Sequence, residues 1–120
     1  MTVRIFGIKN CNTMKKAFDW LDAQLVEYQF HDYKKLGISA EQLQAWVEKA
    51  GWQKLLNTQG TTWRGLSEAE RANVDEAKAI ALMTSKTSLI KRPVIETGKD
   101  LLVGFDETAY AAKLTKSLRN

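Results

Sequence analysis

Cysteine is almost absent from this chain: Cys11 is the only one in 120 residues. A single thiol cannot close an internal disulfide, and it cannot build a cysteine-based zinc site, which needs several soft ligands. Proline is equally scarce, with Pro93 alone, and there are seven glycines. A Pro/Gly-rich low-complexity chain is therefore excluded. Histidine occurs once, as His31, and one histidine does not make a metal site; it reads as a structural residue. Long hydrophobic runs are missing too. The longest stretch without a charged residue, Leu55 to Trp63, has nine residues, whereas a bilayer span needs about 20 apolar ones. The opening Met1-Thr2-Val3-Arg4-Ile5-Phe6 lacks the long apolar core of a signal peptide. A cytoplasmic protein without membrane contact is expected.

What remains is a globular composition: 44% apolar and 27% charged residues. The length suits one domain with one core. The net charge of +4 is a mild excess. It suits an anionic small molecule, and it does not call for direct nucleic-acid binding. Trp20, Trp46, Trp52 and Trp63 are dispersed along the chain, as packing residues are, rather than clustered as a base-stacking platform.

The order of elements can be read from periodicity. Thr2 to Phe6 is β-branched and aromatic and ends at Gly7, which predicts a strand. A short loop leads to Cys11. Met14, Ala17, Phe18, Leu21 and Leu25 then recur at i, i+3, i+4, i+7 and i+11, one face of a helix that Asn10, Asn12 or Thr13 could cap. Val26, Tyr28 and Phe30 alternate with polar residues as a second strand, parallel to the first. Capping patterns at Ser39 with Gln42, at Ser67 with Glu70, and at Asp75 open helices across roughly residues 39–86, interrupted by the polar loop Asn57 to Thr62. The Asp75 helix is expected to carry Ala77, Ile80, Ala81 and Met83. Val94-Ile95-Glu96 and Leu101-Leu102-Val103 flank a turn at Gly98-Lys99 and predict a hairpin. Asp106 caps a last helix with Ala111, Leu114 and Leu118 on one face. The order β-α-β, helices, β-β-α is that of an α/β thioredoxin-like fold with a four-stranded mixed sheet. Its core covers about residues 1–33 and 92–120, and a helical insertion covers about 34–91.

Chemistry concentrates on two clusters. Cys11 stands between a strand loop and a helix, where backbone N–H groups favour an anion. A thiol there should ionise below the free value of about 8.5 and be a good nucleophile. Lys9, Lys15 and Lys16 add positive potential. The competing reading is a buried, inert thiol. Position 14, where a Cys-x-x-Cys motif would place its second thiol, holds Met14. Redox chemistry at Cys11 would therefore need an external thiol, of which glutathione is the abundant cytosolic candidate. The second cluster is Arg92-Pro93 before the third strand. If Pro93 is cis and faces Cys11, the Arg92 guanidinium can approach a thiolate, a carboxylate or an oxyanion. Without that context it is a surface arginine before a turn proline. Arg64, in the loop Gly60 to Leu66, could offer donors to an anion or could simply be solvated.

The stretch Phe6-Gly-Ile-Lys-Asn-Cys11-Asn-Thr-Met-Lys-Lys-Ala-Phe-Asp-Trp-Leu21 resembles the active-site strand, loop and helix of the arsenate reductase (ArsC)/Spx family. Ile90-Lys-Arg-Pro-Val-Ile95 resembles its arginine–proline motif, and Leu102-Val-Gly-Phe105 its Spx-like ending. Gly60-Thr-Thr-Trp-Arg64 together with the Cys11 segment is most similar to the YffB-like branch. In arsenate reductases the matching cysteine attacks arsenate and arginines hold the oxyanion. Cys11 and Arg92 match two of those positions. A histidine before the cysteine is replaced around Gly7, an arginine near Asn57, and another after the last strand pair near Gly104, and this lost charge weighs against arsenate reduction. Spx regulators use a Cys-x-x-Cys switch and bind RNA polymerase. The YffB-like branch resembles a glutathione-dependent thiol reductase. The expectation is such an enzyme: a monomer with Cys11 and Arg92 catalytic, Lys9, Asn10, Arg64 and Pro93 contacting glutathione or substrate, no metal, and glutathione as co-substrate rather than a tightly bound cofactor. An Spx-like regulator and an arsenate reductase are the alternatives.

Overall fold

The structure is a computed structural model, and it describes residues 3–115. The chain runs through β1 (Val3–Gly7), α1 (Asn12–Ala23), β2 (Tyr28–Asp32), α2 (Tyr33–Leu36), α3 (Ala40–Ala50), α4 (Trp52–Leu55), α5 (Thr61–Arg64), α6 (Glu68–Arg71) and α7 (Glu76–Ser85). A 3₁₀ turn (Thr87–Leu89), β3 (Val94–Glu96), β4 (Leu101–Val103) and α8 (Glu107–Tyr110) follow, with α8 widening into a π-helical turn (Ala111–Thr115). Two compact units result: Met1–Leu36 with Arg92–Asn120, and Gly37–Lys91.

The first unit holds a mixed sheet in the order β2-β1-β3-β4. β1 pairs in parallel with β2, from Val3 opposite Tyr28 to Gly7 opposite Asp32. It pairs antiparallel with β3, Phe6 facing Val94, and β3 pairs antiparallel with β4. This is the thioredoxin-like sheet that the element order predicts. Val3, Ile5, Met14, Ala17, Leu21 and Ile95 are buried together with Tyr110 and Leu114. The β3–β4 turn is closed by the buried Thr97, whose Oγ1 accepts from the N–H groups of Lys99 and Asp100. After β4, Gly104 adopts φ +82°, donates its N–H to the Pro93 carbonyl at 2.8 Å, and accepts the Tyr110 hydroxyl at 2.7 Å.

Three expectations in this unit need correction. None of Asn10, Asn12 and Thr13 caps α1; the N-cap residue is Cys11 itself, with extended φ and ψ. Leu25 leaves the apolar face of α1. The helix stops at Ala23 in a Schellman closure, with Val26 N–H to Leu21 C=O and Leu25 N–H to Asp22 C=O. Leu25 takes the left-handed position at φ 58° and is 86% exposed. At the C-terminus Ala111 is exposed while Tyr110 and Leu114 are buried. Leu114 keeps its expected place, and Tyr110 rather than Ala111 is buried with it. Leu118 lies outside the described residues.

The second unit is helical. Ser39 caps α3 by accepting from the Gln42 N–H, and Ser67 with Glu70 forms a reciprocal capping box on α6. Asp75 caps α7. The face of α7 differs from expectation: Ala79, Leu82 and Met83 are buried, whereas Ala77 and Ala81 are exposed. The loop Asn57 to Thr62 is partly ordered into α5, and the chain leaves this unit with Lys91 N–H bonded to the Leu55 carbonyl.

Candidate active site

The C-terminal ends of β1, β2 and β4 and the N-terminal end of β3 lie at one end of the sheet, because β1 and β2 are parallel and β3 is antiparallel between β1 and β4. The loop after β1 delivers Cys11 there, and the segment before β3 delivers Arg92 and Pro93. Cys11 is half-buried at the N-terminus of α1. The Arg92–Pro93 peptide bond is cis, and Pro93 is buried.

The thiol is acidified by a balance of opposing effects. Partial burial is the largest influence and pushes the Cys11 thiol up. The Met14 N–H, the Arg92 side chain and the Thr13 N–H together outweigh it, and the thiol ends below its ordinary value. No cap hydrogen bond closes on the side chain of Cys11, since a neutral thiol is a weak acceptor. The same N–H groups favour the sulfur once it is charged.

One side of Cys11 opens into a cleft of about 640 Å³ lined by Lys9, Asn10, Asn12, Lys15, Phe18 and Asp19. Lys15 Nζ and Asp19 Oδ2 pair at 2.6 Å on its wall, both well exposed. The cleft thus offers cations, a carboxylate, two amides and an aromatic face within reach of the sulfur. Arg64 lies in the second unit, exposed, with Nη1 donating to the Gln59 carbonyl at 3.0 Å. The first unit therefore brings together Cys11, Arg92, Pro93, Lys9 and Asn10. The His31 ring lies tilted at 42° against Phe6, with ring centroids 5.1 Å apart. Among the described residues no group of three or more His, Cys, Asp or Glu could hold a metal ion, and no helix is long and apolar enough to cross a membrane.

Sequence reasoning missed Tyr33. This residue is fully buried, and the Arg92 side chain lies near enough to act on its phenol. Burial pushes its phenol well up, Arg92 opposes that, and the Cys11 and Asp32 charges add to it. The hydroxyl therefore stays neutral at physiological pH. The available signal was its place directly after a strand end, where parallel sheets collect functional groups.

Similarity to known proteins bears on identity. The ArsC family model matches residues 6–113. A protein of Haemophilus influenzae is 37% identical over 110 residues, covering 92% of this chain and 96% of that protein. The solved structure of a YffB protein is 55% identical with a TM-score of 0.91, covering 93% of this chain and 98% of that one. An arsenate reductase (ArsC) related protein from Brucella melitensis is 49% identical with a TM-score of 0.75, covering 95% of each chain. More distantly, the global transcriptional regulator Spx of Streptococcus pyogenes is 25% identical over 120 residues, covering 98% of this chain and 88% of that protein. With a thiol at the start of α1, an arginine–proline segment beside it and a thioredoxin-like sheet beneath both, the chain belongs to the ArsC family.

Proposed function

We propose that the protein is a single-cysteine thiol reductase that uses glutathione as its external thiol. The observation that carries this reading is the acidified Cys11 beside Arg92, in a chain with no second cysteine. The Cys11 thiolate attacks one sulfur of a disulfide. A bond forms between Cys11 Sγ and that sulfur, the substrate S–S bond breaks, and the other half leaves as a thiolate that takes a proton from solvent. Where the captured half is a glutathionyl group, a second glutathione thiolate attacks its sulfur. Glutathione disulfide departs and the Cys11 thiolate is restored. The net exchange converts one glutathionylated substrate and one glutathione into a free substrate thiol and glutathione disulfide, the incoming glutathione being the reductant. Arg92 favours the thiolate both as attacker and as leaving group. The cleft supports the choice of thiol: glutathione carries two carboxylates and one ammonium, and Lys9, Lys15 and Asp19 supply complementary charges beside the sulfur.

Intact mass tests this reading. Oxidised protein incubated with glutathione should gain one tripeptide adduct that excess thiol removes, and Cys11→Ser should gain none. A wild type that takes up no adduct, or that forms covalent dimers in dilute solution, overturns it.

One observation favours a second reading. Similarity to Spx regulators extends over 98% of the chain, which supports docking on RNA polymerase with Cys11 incidental. Met14 stands where the Spx switch has its second cysteine. Co-purification with RNA polymerase, retained by Cys11→Ser, would favour this alternative. Arsenate turnover with glutathione and glutaredoxin would favour the arsenate reductase.

A further inference from the structure

Tyr33 takes no part in the exchange just described, yet the fold fixes it against the groups that do. Its position is set from two sides. Asp32, the residue before it, pairs with Gly7 at the end of β1. The same Asp32 turns the chain into α2 by accepting from the N–H groups of Lys34 and Lys35 through Oδ1, at 3.0 and 3.3 Å. Tyr33 is thereby held at the sheet end from which the Cys11 loop departs. Phe6 pairs with Val94, two residues after Arg92, so the arginine arrives at that same end. Tyr33 is 0% exposed, and the Arg92 side chain influences both its phenol and the Cys11 thiol.

An arginine has a long stem with many rotamers, and placing its guanidinium against one atom costs conformational entropy. A buried neutral acceptor on a fixed backbone restricts that freedom before any substrate arrives. We propose that Tyr33 is a positioning residue, whose hydroxyl accepts from the Arg92 guanidinium and holds it against Cys11 Sγ. The proposal rests on Cys11 being the working nucleophile, and it adds how Arg92 is kept in place. Other charged groups around the sulfur are Lys9 on its own loop and Lys15 and Asp19 on α1, with Asp32 beyond Tyr33. Tyr33→Phe leaves all of these unchanged.

The experiment is the pH dependence of Cys11 alkylation by iodoacetamide in wild type, Tyr33→Phe, Arg92→Ala and the double variant, with melting temperatures alongside. Tyr33→Phe keeps the ring and removes one oxygen. It should raise the titration midpoint and slow alkylation at neutral pH about three- to tenfold, a range in which rate follows thiolate fraction. In the Arg92→Ala background the same change should have no further effect, because the hydroxyl acts only through the guanidinium. A role in packing alone would lower the melting temperature and leave the midpoint where it was. A Tyr33→Phe titration that superimposes on wild type, or an equal slowing with and without Arg92, overturns the proposal. Wild-type protein supplies a second measurement should the variant fold poorly. The Arg92 Nη resonances should show restricted rotation by NMR, and freely averaging ones would equally overturn it. Failure of the glutathione adduct with an intact Tyr33 effect on the titration removes the glutathione reading and leaves this one standing.

Discussion

Gly7→Ala should destabilise the protein through a contact with Met14. Gly7 ends β1, and its backbone is outside the left-handed region, so alanine meets no conformational bar. A methyl group built there lies 2.4 Å from Met14 Sδ and 2.6 Å from Cε. To restore ordinary contact the sulfur must retreat from 2.4 Å to at least 3.4 Å. Met14 is fully buried, but the clashing atoms are the end of a flexible side chain. The cost should therefore fall in the lower part of the usual overpacking range of about 1–3 kcal/mol. Replacing glycine by alanine also restricts the unfolded chain, which returns about 0.4–1 kcal/mol. The net loss is about 1 kcal/mol, or a melting temperature about 3–5 °C lower at this size. Met14→Ala alone opens a cavity and costs about 2–5 kcal/mol. In the double variant the new methyl meets no sulfur and fills part of that cavity, so the pair should cost less than the sum of the two by about 1 kcal/mol. Urea denaturation of the four proteins closes the cycle. Costs that add within about 0.3–0.5 kcal/mol, or a Gly7→Ala protein as stable as wild type, would show that the contact does not govern this position.

Arg92→Ala should raise the Cys11 alkylation midpoint and slow alkylation at neutral pH. The loss should be smaller than the full worth of a charge-assisted hydrogen bond, about 1.5–3 kcal/mol, because the sulfur is partly solvated; an unchanged titration would leave Arg92 a bystander. Met14→Cys places a thiol one turn into α1 from Cys11 and should form an internal disulfide under mild oxidation, read as a mass loss of two hydrogens and two fewer titratable thiols. Two free thiols after oxidation would contradict the placement of that turn. The lowered thiol pKa of Cys11 also links stability to pH. The folded state favours the thiolate, so the extra stability is complete above the ordinary thiol value near ~8.5 and is lost as pH falls through the lowered one. Urea midpoints across that window should climb more steeply for wild type than for Cys11→Ser, and parallel curves would refute the linkage.

Local signals made much of this architecture legible. The β-branched and aromatic run at Val3 to Phe6, the caps at Ser39, Ser67, Asp75 and Asp106, and the hairpin after Pro93 are each written within a few residues. Cys11 could be singled out for the same reason, since strand, loop and helix flank it in sequence. Failures came where the deciding physics is not local. Leu25 has the right spacing for the apolar face of α1, but the turn that ends the helix puts it in water. α7 carries apolar residues around most of its circumference, so periodicity could not select Ala79 and Leu82 over Ala77 and Ala81. Tyr33 looked like one more aromatic at a strand end. Only the register of β2 on β1, together with the return of the chain at Arg92, makes it part of the site.

Gly104 bears on what this site could become. Arsenate reductases resemble this chain with an arginine near that position, and regaining the charge looks like a single substitution. A Cβ added at Gly104 would meet no neighbour within 4 Å. The obstacle is handedness, because φ +82° is a conformation that costs an L-residue about 1–2 kcal/mol. If the backbone escaped by turning to negative φ, the N–H would swing away from the Pro93 carbonyl. The Tyr110 hydroxyl would lose its carbonyl partner in the same movement. The segment released would be the one that carries Arg92. A second guanidinium at this end of the sheet would therefore come at the expense of the first, and a route to oxyanion chemistry would have to rebuild the turn before it could add the charge.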